Sequence, residues 1–481
     1  MNTLLVWSIG RRLLDWWPAT AGAALFAVHA VHTEAVSPVF GRADLLAASF
    51  VLLAWRLAIA SREPRRSRTA AVTLLFAGGL LAKENAAAFP ALLVFSDLAM
   101  HVRRRTFTHD ARELLRQRWS LYAALLIGAA GYSALRYAAA GGVFATGSHV
   151  RYIENPLVTA EPAARLLTAL WVAIKYVGLF ILPYPLSADY AYDQIPLVRT
   201  AADPRAIAVA AALGGAVVLL ARLERRVPRT ILLAGAFAVL LLPVSNLIVP
   251  IGTIMAERIL YLPSAALCLL SGLWLVRLHG IGGPRMKIVL AWFIIVLLGA
   301  HTAGALARNR DWSSEERLFS AAVRASPASA KARFNYASAL VESGQTAAAR
   351  AMLESAVAIA PAYPEAHNLL GTLALLADDL SGAGGSFEAA LGDAPEYAPA
   401  LANLGTVRRR EGRLAEARTL LERAVAADPS MAVAHVNLGL VAELQGDHEA
   451  ALEHYRRAYA LDASLDVARQ RADALDRRGY R

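Results

Sequence analysis

Charged residues are scarce in this sequence: they make up 18% of its 481 residues, whereas hydrophobic residues make up 57%. Soluble globular proteins carry about 25% charged residues, so this composition excludes that class and places most of the chain in lipid. Cysteine is almost absent as well. The single residue, Cys268, lies in an apolar run and excludes an intrachain disulfide.

Apolar runs of near membrane-spanning length recur through residues 18–307 and predict nine or ten membrane segments. We therefore expect a polytopic, all-α membrane helix bundle over residues 1–307. Several runs are shorter than the roughly 20 residues of a straight crossing, so tilt or re-entry is expected for those. The runs are 19–36, 43–60, 69–81, 86–100, 119–140, 166–182, 205–220, 231–249, 259–276 and 288–306.

The formal net charge of +11 comes from arginines that cluster in short loops. No nucleic-acid-binding module is visible, so we expect no nucleic acid partner. The positive-inside rule assigns the basic loops to the cytoplasm. The basic loops are 11–12, 62–68, 103–118, 222–229 and 277–287, and the segments then left on the outer face are 29–44, Glu84, 141–165, 187–203 and everything after 307.

One conflict remains in this topology. The basic loop that ends at residue 118 and the outer loop 187–203 need an odd number of crossings between them, yet two apolar runs separate them. The run 166–182 is therefore predicted to be re-entrant.

After residue 312 the sequence changes to a repeat. Its prolines, Pro327, Pro361, Pro395 and Pro429, are separated by steps of 34 residues, which is the tetratricopeptide (TPR) period. Small residues recur with the same step, and they let paired helices approach closely. We predict a linker helix and half repeat at 312–329, four TPR repeats forming an α-solenoid at 330–465, and a capping helix at 466–481.

Three asparagines of the repeats are candidates for binding an extended acceptor protein or peptide. They precede the small position of the first helix, on the surface expected to form the concave groove. The alternative for each is a solvated or capping amide. Asn368 is out of this register by one residue, and the three candidates are Asn335, Asn403 and Asn437.

Polar and ionisable side chains at membrane depth are costly, so they usually line a cavity and mark a functional site. Four such clusters fall on the predicted outer face, which favours one shared cavity. The clusters are His29, His32, Glu34, Arg42 and Asp44; Lys83 and Glu84 with Asn85; Asp189, Tyr190, Tyr192 and Asp193; and Glu257 and Arg258 with Tyr261.

Each cluster has a simpler alternative. Glu34 and Asp44 could pair with Arg42 at a helix end, and Lys83 could pair internally with Glu84. The tyrosines of the third cluster could stack on a sugar or anchor the chain at the bilayer interface. The histidine spacing disfavours a zinc site, and no metal ligands are assigned.

The order of these motifs resembles the transmembrane and tetratricopeptide-repeat-containing O-mannosyltransferase family. The resemblance rests on His29-Ala-Val-His-Thr-Glu-Ala-Val, Gly41-Arg-Ala-Asp-Leu-Leu, Lys83-Glu84, Leu186-Ser-Ala-Asp-Tyr190 and Glu257-Arg-Ile-Leu-Tyr-Leu-Pro263, followed by the repeats. It implies a GT-C glycosyltransferase membrane fold. It also implies transfer of mannose or a similar sugar from a polyprenyl-phosphate carrier to Ser or Thr of a protein on the lumenal or periplasmic side.

The resemblance also assigns residues. It implies that His29, His32, Glu34, Arg42 and Asp44 line the active cavity, and we expect Arg258 and Lys83 to hold the donor phosphate through their positive charge. The family's catalytic aspartate belongs to a first outer loop that precedes this sequence. We therefore expect a truncated gene model, and otherwise Glu34 or Asp44 as the base, or an inactive chain.

Two other functions remain open. The chain could be an inactive membrane-anchored TPR scaffold for envelope proteins, or a transporter of a lipid-linked sugar that uses the same cavity. No tightly bound cofactor is expected beyond the lipid-linked sugar donor, and the partners expected are membrane lipid, that donor and an acceptor protein. The high Ala and Arg content suggests a bacterial inner membrane, with the repeats in the periplasm.

Overall fold

The computed structural model describes residues 1–63, 65–102, 106–140 and 150–480, and this part of the chain is helical, without strands. Residues 103–105 of the predicted basic loop and 141–149 of the predicted outer loop lie outside the described residues. The chain divides into two compact units, Met1–Ala332 and Arg333–Arg481. The helix after the last apolar run, Glu315–Ala325, therefore belongs to the first unit.

The first unit is a helix bundle with short 3₁₀ turns where the chain changes direction. Its α-helices are Asn2–Leu13, Trp16–Val28, Thr33–Val36, Arg42–Ala58, Arg66–Ala82, Phe89–His101, Phe107–Ala140, Pro162–Ile181, Pro204–Arg226, Thr230–Leu241, Tyr261–Ile281, Pro284–Asp311 and Glu315–Ala325. Its 3₁₀ helices are Ala30–His32, Val39–Gly41, Glu84–Ala88, Pro156–Val158, Leu242–Val244 and Glu257–Leu260.

Four of the described helices are long and apolar enough to cross a membrane, and a bent pair brings the number to five. These helices make the chain a multi-pass membrane protein. The count is lower than the nine or ten segments predicted, because several apolar runs fold into helices too short for a straight crossing, such as Trp16–Val28 and Phe89–His101. The four long segments are Pro162–Ile181, Pro204–Arg226, Glu257–Ile281 and Pro284–Asp311.

Two details of the predicted topology are wrong. The run 166–182 is not re-entrant, since it lies in the continuous helix Pro162–Ile181. The break occurs earlier, between Ala30–Val36 and Val39–Ala58, which meet at 96°. Pro38 causes this bend, because it has no backbone N–H to donate and its backbone is extended (ψ 152°). The basic segment before residue 118 is helical from Phe107 rather than a loop.

Glycines bring the helices Trp16–Val28 and Tyr261–Ile281 into close contact. A Cβ on Gly272 would lie 2.4 Å from the carbonyl oxygen of Pro18, and a Cβ on Gly22 would lie 2.7 Å from that of Cys268. Small residues allow membrane helices to approach in this way. Because these helices are held together, the segment after Trp16–Val28 lies next to the segment before Tyr261–Ile281.

A fully buried ion pair joins three helices at one end of the bundle. Nη1 of Arg118 lies 2.5 Å from both carboxylate oxygens of Asp97, and Nη2 donates to the carbonyl oxygen of Ala58 at 2.6 Å. Tyr122 donates its hydroxyl hydrogen to the same carboxylate at 2.7 Å. Both charged side chains are 0% exposed, so their charges are compensated almost entirely by each other and by these hydrogen bonds.

The second unit is a series of antiparallel helix pairs. Alternating small and large residues pack the pairs: a Cβ on Gly371 would lie 2.6 Å from the ring of Phe387, and one on Gly439 would lie 2.5 Å from the ring of Tyr455. This confirms the predicted all-α class with TPR repeats. The helices that begin in this unit or lead into it are Ala330–Glu342, Thr346–Ile359, Pro364–Leu376, Leu380–Asp393, Ala398–Arg410, Leu414–Ala427, Ala432–Gln445, His448–Leu461 and Asp466–Arg477.

Candidate functional site

The centre of the candidate site is an ion pair between Glu34 and Arg258. Nη1 of Arg258 donates to Oε1 of Glu34, and the backbone N–H of Arg258 donates to Oε2 at 3.0 Å. The Glu34 side chain is 2% exposed and that of Arg258 is 28% exposed. The Arg258 guanidinium also lies 5.5 Å from the ring of the exposed residue Phe40. The carboxylate therefore holds a partly exposed cation beside an aromatic ring.

Glu257 connects this pair to a third segment of the chain. Its Oε1 accepts a hydrogen bond from the backbone N–H of Ser187 at 2.5 Å and another from the hydroxyl of Tyr190 at 3.0 Å. Its Oε2 is buried and accepts no hydrogen bond among the described residues. The structure thus brings together the first, third and fourth sequence clusters at Glu34, Tyr190 and Glu257.

A second ion pair lies at the start of the helix Arg42–Ala58. Lys83 Nζ is 2.5 Å from Oδ2 of Asp44, and Asn85 donates to Oδ1 at 3.3 Å. Glu84 is not part of this pair, because its carboxylate lies 3.6 Å from Arg136. The suggested internal pair of Lys83 with Glu84 is therefore wrong, since the two adjacent side chains reach different helices.

Arg42 stands apart from the cluster in which it was predicted. Its side chain is exposed and makes no hydrogen bond or ion pair within the described ranges. The suggested pairing of Glu34 and Asp44 with Arg42 is therefore wrong, because the two carboxylates are taken up by cations from distant segments, Arg258 and Lys83.

The two histidines of the first cluster are buried packing and hydrogen-bonding residues. His29 Nδ1 accepts from the backbone N–H of Val31, so its Nε2 carries the hydrogen that is donated to the Phe180 carbonyl oxygen at 2.9 Å. His32 Nε2 lies 2.8 Å from the hydroxyl of Ser264. Across the part of the chain that the structure describes, no group of three or more His, Cys, Asp or Glu side chains could hold a metal ion.

The loop after residue 186 binds the segment that precedes the repeats. Asp189 accepts hydrogen bonds from the backbone N–H of Ala191 at 2.8 Å and from the Ser329 hydroxyl at 2.7 Å. The backbone N–H of Asp193 donates to the Ala328 carbonyl oxygen at 2.8 Å. Burial raises the pKa of both Asp189 and Asp193, although Lys331 opposes the shift at the first residue. These aspartates therefore anchor a loop within the first unit.

The tyrosines of this loop differ in their surroundings. Tyr190 hydrogen-bonds to Glu257, and burial raises its pKa well above the usual range. Tyr192 packs its ring 4.9 Å from that of Tyr152. Neither arrangement matches a bilayer anchor exposed to lipid, and Tyr190 is the one that joins the candidate site.

The repeat asparagines do not share one environment. Asn403 donates to the side-chain oxygen of Asn368 at 3.0 Å, although Asn368 is out of register in the sequence. Asn437 is 9% exposed and donates to the carbonyl oxygen of Val433 in its own helix. Asn335 is half-buried. Asn403 and Asn368 therefore form an amide pair that links two successive repeats.

Sequence reasoning missed several polar residues near the site. His301 packs its ring 4.3 Å from that of His29, and Arg308 is 5% exposed beside Trp312. Tyr176 accepts the backbone N–H of Ala256 at 3.0 Å. The sequence carries a signal for His301, because it is a polar residue within the apolar run 288–306.

Comparisons with known proteins show which proteins this chain is similar to. Residues 146–217 match the family described as Protein O-mannosyl-transferase TMTC, DUF1736, and residues 316–373 and 403–466 match tetratricopeptide repeats. Protein O-mannosyl-transferase TMTC4 of Homo sapiens is 32% identical over 71% of this chain and 50% of its own length. Protein O-mannosyl-transferase Tmtc3 of Drosophila melanogaster is 29% identical over 68% of this chain and 39% of its own length.

Solved structures of TPR proteins are similar to part of this chain. One of them is the crystal structure of a thermophilic TPR protein of Thermus thermophilus, which is 20% identical in sequence. The match spans 37% of this chain and 94% of the Thermus protein, with a TM-score of 0.30. The chain spans about half the length, or less, of the curated relatives it matches. With the matched family domain and the repeats in the expected order, the chain is a homologue of the transmembrane and tetratricopeptide-repeat-containing (TMTC) protein O-mannosyl-transferases.

Proposed function

We propose that this protein is a membrane glycosyltransferase that moves mannose, or a similar sugar, from a polyprenyl-phosphate carrier to Ser or Thr of a protein on the extracytoplasmic face. The names of its homologues support a protein O-mannosyl-transferase. The observation that carries the proposal is the Glu34–Arg258 pair, which joins two of the segments on which the family resemblance rests.

The reaction needs a cation and a base. The acceptor hydroxyl loses its proton, a bond forms to the anomeric carbon of the sugar, and the carrier leaves as a phosphate whose charge must be stabilised. Arg258 and Lys83 suit this phosphate, because each is partly exposed and is held in place by a buried carboxylate.

Glu34 and Asp44 are the proposed bases, and they also position the two cations. In the structure each carboxylate is committed to its cation. Proton transfer to either carboxylate therefore follows once the donor phosphate draws the cation toward itself. This couples base activation to donor binding.

The repeats are proposed to hold the acceptor protein, with the Asn368–Asn403 pair binding its backbone. A bacterial inner membrane with periplasmic repeats remains our proposal for the location. The donor is the one small molecule that the mechanism requires, so no tightly bound cofactor is proposed.

The test is sugar transfer by the purified full chain in lipid nanodiscs. Labelled polyprenyl-phosphate mannose and a Ser/Thr-containing acceptor protein are supplied, and the product is mapped by mass spectrometry. We expect hexose on Ser or Thr with the wild type and a loss of about 100-fold or more for Arg258→Gln, because a charge-assisted contact in the transition state is removed. Arg277→Gln, an exposed arginine of the following helix, is the matched control.

The alternatives give different results. A scaffold captures its partner proteins without any transfer, and Arg258→Gln leaves that capture unchanged. A transporter moves the lipid-linked sugar across the membrane in the absence of acceptor protein. Either result, together with absent transfer by the wild type, would contradict the proposed function.

A further inference from the structure

Two histidines contact each other in the second unit, between the paired helices Ala432–Gln445 and His448–Leu461. His435 lies on the first helix and His454 on the second. Their Nδ1 atoms are 3.3 Å apart, and their ring centroids are 5.5 Å apart, with the ring planes 34° from parallel. Nitrogen atoms from both helices of the pair therefore meet at one point.

The preceding repeat shows that this helix pair does not need histidine for its packing. The residues at the equivalent positions, 34 residues earlier, are Leu401 and Leu420. Leu401 is fully buried, and Leu420 is partly buried against the same apolar cluster. Two histidines thus stand where two leucines pack in the preceding repeat, although polar rings are costlier to bury. This exchange suggests that the two rings bind something.

A hydrogen bond between the rings explains the pair poorly. Hydrogen bonds donated by N–H groups in proteins are usually about 2.7–3.2 Å long, and the separation here is 3.3 Å. His435 is 7% exposed, so water has little access to its Nδ1. A ligand that accepts both lone pairs would stabilise the two nitrogens better than they stabilise each other.

The distance between the two nitrogens matches one metal ion bound by both. Zinc binds histidine nitrogens at about 2.0–2.1 Å with tetrahedral geometry, so two ligands of one zinc ion lie about 3.3 Å apart. Square-planar geometry, typical of Cu²⁺, would bring neighbouring nitrogens to about 2.9 Å. The observed 3.3 Å therefore favours a tetrahedral ion.

The charges around the pair favour a cation. The carboxylates of Glu422, Asp447 and Glu453 all attract positive charge at His454, where Arg418 opposes them. At the other ring, one carboxylate and one guanidinium act in opposite directions. His454 is half-buried and Glu453 is exposed, so a hydrated ion can reach the pair from solvent.

We propose that Nδ1 of His435 and Nδ1 of His454 bind one divalent transition-metal ion of the zinc type, with solvent in its remaining coordination positions. Small rotations of the two rings aim both lone pairs at the ion, and each ring carries its hydrogen on Nε2. The ion joins the two helices of the pair. It stabilises the folded repeats, because the unfolded chain does not hold the two histidines together.

The number of ligands sets the strength of this site. Two protein ligands are fewer than the three or four of catalytic and structural zinc sites, and no third ligating side chain joins the pair among the described residues. The ion is therefore exchangeable. The proposal is independent of sugar transfer, since both ligands belong to the second unit.

The experiment measures Zn²⁺ binding by isothermal titration calorimetry to the full chain, purified in detergent without a polyhistidine tag. It is done at about pH 7.5, where histidine is mostly neutral. The wild type should bind one more equivalent of Zn²⁺ than the double variant His435→Leu/His454→Leu. Each single substitution should weaken this binding at least about 10-fold, because even the loss of a hydrogen bond that supports a ligand costs about 10- to 100-fold.

His367→Leu is the matched control. His367 stands at the position of His435 two repeats earlier, where Ser386 replaces the second histidine. This variant should keep the Zn²⁺ affinity of the wild type within about twofold. Mg²⁺ should not compete with Zn²⁺, because Mg²⁺ prefers oxygen ligands.

Thermal unfolding separates metal binding from packing. The double variant carries the leucines of the preceding repeat, so its melting temperature without metal should equal or exceed that of the wild type. Zn²⁺ should raise the melting temperature of the wild type and of His367→Leu, and leave that of the double variant unchanged.

Two results would overturn the proposal. One is equal Zn²⁺ binding by the wild type and the double variant, and the other is an equal loss of binding in His367→Leu. If the double variant does not fold, His454→Gln decides the matter, because it removes one ligand and keeps a polar side chain at a half-buried position. Unchanged Zn²⁺ affinity in His454→Gln would likewise refute the site.

Discussion

Replacing Gly272 with alanine tests how the candidate site is positioned. The added Cβ would lie 2.4 Å from the carbonyl oxygen of Pro18 and 2.6 Å from the backbone nitrogen of Gly22. Both contacts are with backbone atoms, so no side-chain rotation relieves them. The helices Trp16–Val28 and Tyr261–Ile281 must separate, and this moves Arg258 relative to Glu34.

The expected cost follows from overpacking. Forcing an extra methyl group into a close-packed contact costs about 1–3 kcal/mol. We expect about 2 kcal/mol here, of which alanine's higher helix propensity offsets about 1 kcal/mol, and an apparent melting temperature lower by about 1–2 °C in a fixed detergent. The assay is a thermal scan of the purified protein at one scan rate, followed by intrinsic fluorescence.

Gly280→Ala is the matched control, since it lies on the same helix and a Cβ there would meet nothing within 4 Å. It should leave the melting temperature unchanged or raise it, because alanine is favoured over glycine in a helix by about 1 kcal/mol. Equal melting temperatures for the two variants, or a more stable Gly272→Ala, would refute the packing argument.

Three further substitutions test other parts of the molecule. Asp97→Asn leaves Arg118 buried without its counter-charge and should cost about 3–5 kcal/mol, which a lowered melting temperature will show. Burial raises the pKa of Asp189, so the folded protein keeps a proton that the unfolded chain, with a pKa of about 3.9, has released. This contribution to stability is complete below the unfolded-state pKa and is lost as the pH rises through the folded-state pKa. Asp189→Asn should therefore flatten the dependence of melting temperature on pH between these two pKa values. Lys83→Gln should destabilise the protein less than Asp97→Asn, because Lys83 is 31% exposed and water reaches the Asp44 pair; an equal loss would contradict the role of burial.

Regular patterns in the sequence predicted the architecture well. The 34-residue step of prolines locates the repeats, because each repeat uses the same packing of small against large residues, as at Gly371 and Phe387. Apolar runs also predict helices, because this pattern depends on residues that are close together in the sequence. The predicted re-entrant run at 166–182 is wrong because run length alone does not show that Pro38 bends the chain, whereas 166–182 stays helical.

Partners of charged residues were much harder to predict. Proximity in sequence suggested Arg42 for Glu34 and Glu84 for Lys83, but the actual partners of Glu34 and Lys83 are Arg258 and Asp44. Such pairs depend on helix packing, which brings segments together that no local pattern connects.

The burial of Arg308 was equally invisible in the sequence. This arginine stands among basic residues that read as the ordinary end of a membrane helix. Its burial beside Trp312 follows from the packing of the helix Pro284–Asp311 against segments far away in the chain. The sequence predicted which segments form the candidate site, and the structure shows which charged side chains form ion pairs within it.

The most direct test of the central claim, that the Glu34–Arg258 pair stands where sugar transfer occurs, is photolabelling with a donor analogue. A polyprenyl-phosphate mannose that carries a photoreactive group on the sugar is bound to the full chain in nanodiscs, irradiated and mapped by peptide mass spectrometry. The account predicts labels within residues 29–44, 186–193 or 257–261, and their loss when excess unlabelled donor is present. Labels confined to the repeats, or labels that unlabelled donor does not remove, would contradict it.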